Sequence, residues 1–418
     1  MKSHYQILII GGGTAGIMTS SMLLQKDKSL DIGLIEPADM HYYQAAWTLV
    51  GAGTYEFEKT GKPMAEVMPK GVDWIKDYAS GFDPENNTVE TKGSGKITYD
   101  YLIVAPGLVM EPSLIEGLPE ALDKGNVCSN YTDPNHTWDV IKNFKGGNAV
   151  FTQPNTPIKC GGAPQKIAYL AADYFQKNKV DANVIFATPG TVIFGVPRVA
   201  ATLNNVIRRY GIHFRPHYAP VHIDNEKNVV TFKWVNPSES QCVISEHNKI
   251  KEELSGNSYI KVPFDMLHLA PPQAAPKFVR ESSLVNDAGW LDVNKHTLQH
   301  VKFPNIFGMG DVAGLPTAKT GAAIRKQVPI VIDNLRNMIK SQEIGSMSYN
   351  GYSSCPLVTG YGKMVLAEFD YDQNFIPDPK LKQMLVFDSA KEHWRLWMLK
   401  KYGLPYLYWN KMLKGKEV

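Results

Sequence analysis

Tyr5-Gln-Ile-Leu-Ile-Ile10 runs without a break into Gly11-Gly-Gly-Thr-Ala-Gly16. The first stretch reads as a buried strand, and Ile17 to Leu24 beyond the glycines reads as a helix. Gly11, Gly13 and Gly16 have the G-x-G-x-x-G spacing. The first glycine permits a tight turn, the second lets backbone approach a pyrophosphate, and the third lets helix and strand pack closely. The pyrophosphate then lies on the helix N-terminus, where N–H groups and the dipole favour an anion. A glycine-rich turn alone is a weak sign. Here a second strand, Ile32-Gly-Leu-Ile35, ends in Glu36, twenty residues beyond Gly16 and placed to bind ribose hydroxyls. Strand, glycines, helix, strand and acid in that order read as a dinucleotide site.

The chain around this motif has 418 residues, 44% apolar and 20% charged, which is globular composition sufficient for two or three domains. No apolar run approaches the about 18 residues that cross a bilayer. Four cysteines, at 128, 160, 242 and 355, are too scattered for a disulfide scaffold and lack the spacing of a metal site. A net charge of +3 makes no case for nucleic acid. Met1-Lys-Ser-His is followed at once by the strand, so the expectation is a chain without a cleaved leader, or one whose presequence is already gone.

A distant segment separates FAD from NAD. Asn305-Ile-Phe-Gly-Met-Gly-Asp311 is an apolar strand ending in Gly-Asp, followed by a Gly/Thr-rich turn and a helix from about Gly321. Flavoproteins with two dinucleotide domains carry this pattern, with the aspartate on the ribityl chain and the helix N-terminus at the flavin pyrimidine. Tyr99-Asp-Tyr-Leu-Ile-Val-Ala-Pro-Gly107 resembles the strand that closes the first half of the FAD site in that class. The fold expected is α/β, with two Rossmann-like domains of the glutathione-reductase type. Residues 1–110 and 286–345 form a discontinuous FAD domain, residues 111–285 a second domain, and residues 346–418 a C-terminal region.

The second domain lacks a nicotinamide site. Its first strand, Asn148 to Gln153, is followed by Pro154-Asn-Thr-Pro-Ile-Lys-Cys160-Gly-Gly-Ala-Pro-Gln-Lys166 and a helix through Phe175. Two prolines stand where a phosphate-cradling turn should be, and neither has an N–H to donate. Cys160 lies just ahead of the helix and beside Lys159. A helix N-terminus and a cation both favour thiolate, although an isolated cysteine is by default buried and inert. Cys355, in Gly351-Tyr-Ser-Ser-Cys-Pro-Leu-Val-Thr-Gly360, falls in a small-residue stretch that reads as a loop. The polar stretch 236–258, which carries Cys242, reads as a solvent-exposed insertion.

Residues 390–418 carry seven basic against two acidic residues, together with Trp394, Trp397, Tyr402, Tyr406, Tyr408 and Trp409. Helices lying in a bilayer interface have this composition. Gly403-Leu-Pro405 predicts two short helices, separable from the domains upstream. The competing reading is a helix packed on the protein's own core.

Together these residues resemble sulfide:quinone oxidoreductase, in the branch that includes the mitochondrial enzymes. The carrying segments are Gly11–Gly16, Glu36 to Gln44, Trp47 to Gly53, Phe151–Lys166, Met266 to Pro272, Gly308–Thr320 and Tyr352–Tyr361. The resemblance implies oxidation of hydrogen sulfide by FAD with delivery of two electrons to a membrane quinone. Cys160 and Cys355 are then the redox pair, sulfur-bridged at rest, with Cys160 on the flavin side. Thr14, Ala15, Glu36, Gln44, Ala79, Gly107, Asp311, Lys319 and Gly321 fall where family members contact FAD. A sulfane-sulfur acceptor (glutathione, sulfite, coenzyme A or sulfide) clears the persulfide. Cys128 is read as non-essential, no metal is implied, and homo-oligomerisation stays open. The expected location is peripheral, on membrane lipid: the inner or cytoplasmic membrane of a prokaryote, or the mitochondrial inner membrane after loss of a presequence. The alternatives are an FAD-dependent NADH:quinone oxidoreductase, which should have an intact second glycine turn, and a flavin redox sensor without turnover.

Overall fold

Every residue from Ile7 to Ile10 is buried because the strand His4–Ile10 has a parallel partner on each side. Ile7 lies opposite Ile32 in one neighbour and opposite Tyr101 in the other, the strand Lys96–Val104. The structure, a computed structural model, describes residues 2–236 and 249–417; Cys242 lies outside the described residues. Val72–Ile75 extends the sheet beyond Ile32–Ile35, while the hairpin Ala79–Asp83 and Thr88–Thr91 joins antiparallel at the other side. Ile306–Gly308, more than two hundred residues later, adds in parallel to Lys96–Val104. The helices Thr14–Lys26 and Gly321–Ser341 share one hydrophobic core on this sheet.

A second sheet is parallel throughout, in the order Val127–Cys128, Met266–Leu269, Gly147–Thr152, Ala182–Thr188, His213–Pro216. The helices Ala163–Lys177 and Pro197–Tyr210 pack on it. Strands at Tyr218–Asp224, Val229–Trp234, Glu253–Ser255 and Tyr259–Pro263 build an antiparallel layer beside it. The described part of residues 236–258 is mostly exposed, as expected, but it is anchored in this layer. Ile250 and Glu252 are buried, and Glu252 is paired with Arg215 at 2.7 Å.

Cys355 lies in a strand, not a loop. Ser353–Gly360 pairs antiparallel with Lys363–Phe369, placing Cys355 opposite Ala367 and Ser354 opposite Glu368. Small residues misled the reading because this strand is enclosed nearly throughout and so shows no polar alternation. The pleat sends Cys355 and Leu357 toward the Ala163–Lys177 helix and turns Ser354 and Pro356 the other way.

The C-terminal segment also departs from expectation. Trp394–Met398 continues through a π turn, Leu399–Gly403, into Leu404–Asn410 with no break. Pro405 falls in the first turn of the last element, where a missing N–H is tolerated. One face of the segment is core: Leu396, Trp397, Tyr408, Met412 and Leu413 are buried, and the Ser21 hydroxyl donates to the Leu413 carbonyl at 2.8 Å. The opposite face is open, with Trp394, Met398, Tyr402 and Tyr406 exposed at every fourth residue. The reading of a helix packed on the protein's own core holds for one face, the other face is exposed, and the segment is not separable from the domains upstream. Among the described residues no helix is long and apolar enough to cross a membrane.

Candidate active site

Gly11 has φ +100°, and a Cβ there would stand 2.4 Å from the Ala105 carbonyl oxygen. At Gly16 a Cβ would stand 1.9 Å from the Gly11 carbonyl oxygen, so helix and strand meet only through a glycine. Gly13 differs. A Cβ there meets nothing within 4 Å, and the helix beginning at Thr14 has no side-chain cap. Its first-turn N–H groups thus face a cavity of about 1060 Å³. Glu36 closes the turn, accepting the Gly12 N–H at 2.6 Å and the Ala38 N–H at 2.8 Å. Thr14, Ala15, Glu36, Gln44, Gly107, Asp311, Lys319 and Gly321 all line this cavity. Ala79 does not; it sits in the core with Tyr5 and Ile75.

Cys160 reaches the same cavity because the second sheet's first crossover is long. Residues 153–162 separate strand from helix there, where residues 11–13 suffice in the first sheet. Cys160 has φ +50°, a conformation that costs a non-glycine residue about 1–3 kcal/mol. Its surroundings hold it there: its N–H donates to the Lys319 carbonyl at 2.7 Å, and the Tyr131 hydroxyl donates to its carbonyl at 3.1 Å. Both cysteines are free thiols, Cys355 being buried, and the Cys355 thiol hydrogen-bonds to Cys160.

That hydrogen bond, with the Lys166 ammonium 3.0 Å from its sulfur, holds the Cys160 thiol well below the usual range despite burial. Cys355 is pushed well above it, by the same bond and by burial. The cation expected at Cys160 was Lys159, but its ammonium donates to the Gln44 side chain. Lys166 and Lys400 take its place. Lys400, buried in the π turn, donates to the Ala45 carbonyl at 2.6 Å, and burial with repulsion from Lys166 lowers its ammonium to about 7. Nothing in the sequence marked Lys400, which belongs to the tail. Lys166 lies within a quoted motif, yet its aim depends on the turn before the helix. Cys128 is buried in a short strand, its thiol pushed up by burial, away from the cavity wall.

Asp311 completes the flavin end. Burial raises its carboxyl, with Lys159 and Lys319 opposing. The Lys319 ammonium, 3.8 Å from the Trp290 ring centroid, is lowered to about 8 by burial. Tyr408, from the tail, lies with its hydroxyl 2.8 Å from that of Thr14 and 2.6 Å from His41 Nε2. The last helix therefore props the glycine turn. An open glycine, an uncapped helix N-terminus and an aspartate on the cavity wall fit a flavin dinucleotide.

A family model for pyridine nucleotide-disulphide oxidoreductase matches residues 5–328, and fold and cavity together define this class. The mitochondrial sulfide:quinone oxidoreductase of Mus musculus is 38% identical, over 99% of this chain and 87% of its own length. That of Dictyostelium discoideum is also 38% identical, over 100% and 87%. The solved structure of the enzyme from Aquifex aeolicus superposes with a TM-score of 0.76 at 21% identity, covering 99% of this chain and 92% of that one. The chain belongs to the sulfide:quinone oxidoreductase family, whose members are FAD-dependent.

Proposed function

We propose that this protein oxidises sulfide at the Cys160–Cys355 pair and passes two electrons through FAD to a quinone drawn from a membrane. The observation that carries this reading is the meeting of two thiols, 195 residues apart in sequence, under a buried lysine at the wall of a dinucleotide cavity.

In the oxidised, bridged pair, hydrosulfide attacks the Cys355 sulfur and the bond to Cys160 breaks. Cys355 becomes a persulfide, and Cys160 leaves as the thiolate that Lys166 stabilises. When bound, FAD takes the electron pair that closes each cycle and hands it to quinone. A thiol, sulfite or sulfide acceptor removes the outer sulfur from Cys355, regenerating its thiol. Thr14, Gly13, Glu36 and Asp311 would hold the cofactor, with Gly321 and Lys319 near its ring end. Residues 1–110 with 286–345 act as the FAD unit, and residues 111–285 as a second dinucleotide-type unit. The parallel pairing of Ile306–Gly308 with Lys96–Val104 supports that division. Pro154 and Pro157 in the long crossover argue against NAD(P)H as donor.

The tail supplies the membrane side. Leu381, Met384, Leu399, Leu404 and Leu407 line the cavity too, which suits an apolar quinone. The exposed Trp394, Met398, Tyr402 and Tyr406, with Arg395 and Lys401 beside them, suit a lipid interface. Anaerobic addition of sulfide should bleach the flavin, and NADH should not. Cys160→Ser or Cys355→Ser should keep FAD and lose nearly all sulfide-dependent quinone reduction, while Cys128→Ser changes little. Rapid bleaching by NADH, or near wild-type turnover in either cysteine variant, would overturn the assignment.

A further inference from the structure

Glu368 is 1% exposed yet forms part of the cavity wall, in the strand register directly beside the Cys355–Ala367 pair. Its Oε2 accepts the Asp378 N–H at 2.8 Å. Its Oε1 accepts from the Tyr352 hydroxyl and from the Arg325 guanidinium, the latter at 3.4 Å. Arg325 lines the same cavity, and its Nε–H is buried with no partner among the described residues. A buried ion pair in a wall shared with Leu366, Leu381 and Met384 is costly to maintain and weak evidence for stability alone. The sulfur chemistry at Cys160 and Cys355 makes no use of it.

Quinone reduction does need such a group. A quinone that takes two electrons also takes two protons: each carbonyl π bond is lost and an O–H bond forms. A side chain held at the carbonyl supplies a proton without waiting for bulk water. Solvent is near, because half-buried Asp378 binds Glu368 through its backbone and exposed Lys380 follows it, both lining the cavity.

We propose that Glu368 is a catalytic proton relay for quinone, taking a proton at the Asp378–Lys380 rim and delivering it to the nearer quinone oxygen, the second proton being the one that reduced flavin gives up on reoxidation. Arg325 directs its free Nε–H at that oxygen, where it stabilises the negative charge arriving with the electrons. Tyr352 is a positioning residue that holds the carboxylate. The two electrons come from reduced flavin, and the product is quinol. This inference rests on the quinone reading above.

The test starts from dithionite-reduced holoenzyme, mixed anaerobically with decylubiquinone or with ferricyanide, which takes electrons without protons. General-acid catalysis contributes about 10²–10⁴-fold. Glu368→Gln should therefore slow reoxidation by decylubiquinone about 10²-fold or more and leave that by ferricyanide unchanged. Glu368→Asp should recover part of the quinone rate, and the solvent deuterium effect on that step should rise in Glu368→Gln. Wild-type reoxidation by decylubiquinone in Glu368→Gln, or equal slowing with both oxidants, would overturn the relay. A wild-type enzyme that ferricyanide reoxidises and decylubiquinone does not would overturn the quinone reading itself.

Discussion

Replacing Lys166 with methionine asks whether a buried cation makes Cys160 a thiolate. Methionine fills similar space and removes only the charge. Lys166 is 2% exposed, with its ammonium 3.0 Å from the Cys160 sulfur. An opposite charge at this range lowers an acid's pKa by about one to three pH units, or about 1.4–4 kcal/mol. Two effects keep the expected change near the lower end. The Cys355 thiol bond, the largest influence on Cys160, survives the substitution. Lys400, held at about 7 by burial and by Lys166, regains its proton once Lys166 is gone and replaces part of the lost charge. The Cys160 thiol should therefore titrate about one pH unit higher, with up to tenfold less thiolate between the old and new midpoints. The assay is the pH dependence of iodoacetamide alkylation of Cys160 in reduced holoenzyme, read by peptide mass spectrometry in a Cys242→Ser background. An unchanged alkylation midpoint would refute the reasoning.

Tyr408→Phe removes a hydroxyl shared by Thr14 and buried His41. It should cost about 1–3 kcal/mol, seen as a lower thermal midpoint and faster loss of FAD on dilution; no change in either contradicts the prop. Ending the chain before Trp394 strips out Leu396, Trp397, Tyr408, Met412 and Leu413, each worth about 1.5–3 kcal/mol of burial. That sum rivals the about 5–15 kcal/mol stability of a whole domain, so the truncated chain should be insoluble or free of FAD. Serine at Trp394, Met398, Tyr402 and Tyr406 together should leave FAD content intact, because exposed positions rarely matter by more than about 0.5 kcal/mol each. The same variant should lose liposome co-sedimentation, and full retention would count against the interface.

The first strand, its glycines and Glu36 were legible because they are local: period, turn chemistry and helix start all lie within Tyr5–Glu36. Cys160 was legible for a similar reason, since Pro154 and Pro157 declare a turn that is not a phosphate cradle. Cys355 was seen as a residue but not as strand, because enclosure on both faces erases the alternation that marks a half-exposed sheet. Lys400, Tyr408 and Glu368 were invisible as site residues. Lys400 and Tyr408 reach the cavity through contacts hundreds of residues long, Glu368 is enclosed by Tyr352, Arg325 and Asp378, and a buried lysine in an amphipathic tail looks like a solvated one.

The contact between Thr14 and Tyr408 also governs how the molecule is made. The two residues are 394 positions apart. At about 5–20 residues per second, the ribosome delivers the second about 20–80 s after the first. During that interval the glycine turn exists without its prop, and the nascent chain holds an unfinished nucleotide site. The same closing helix carries the exposed Trp394–Tyr406 row. Core and exposed row are thus completed together: the row takes its folded shape only when the other face of the same segment packs against Thr14 and Ser21.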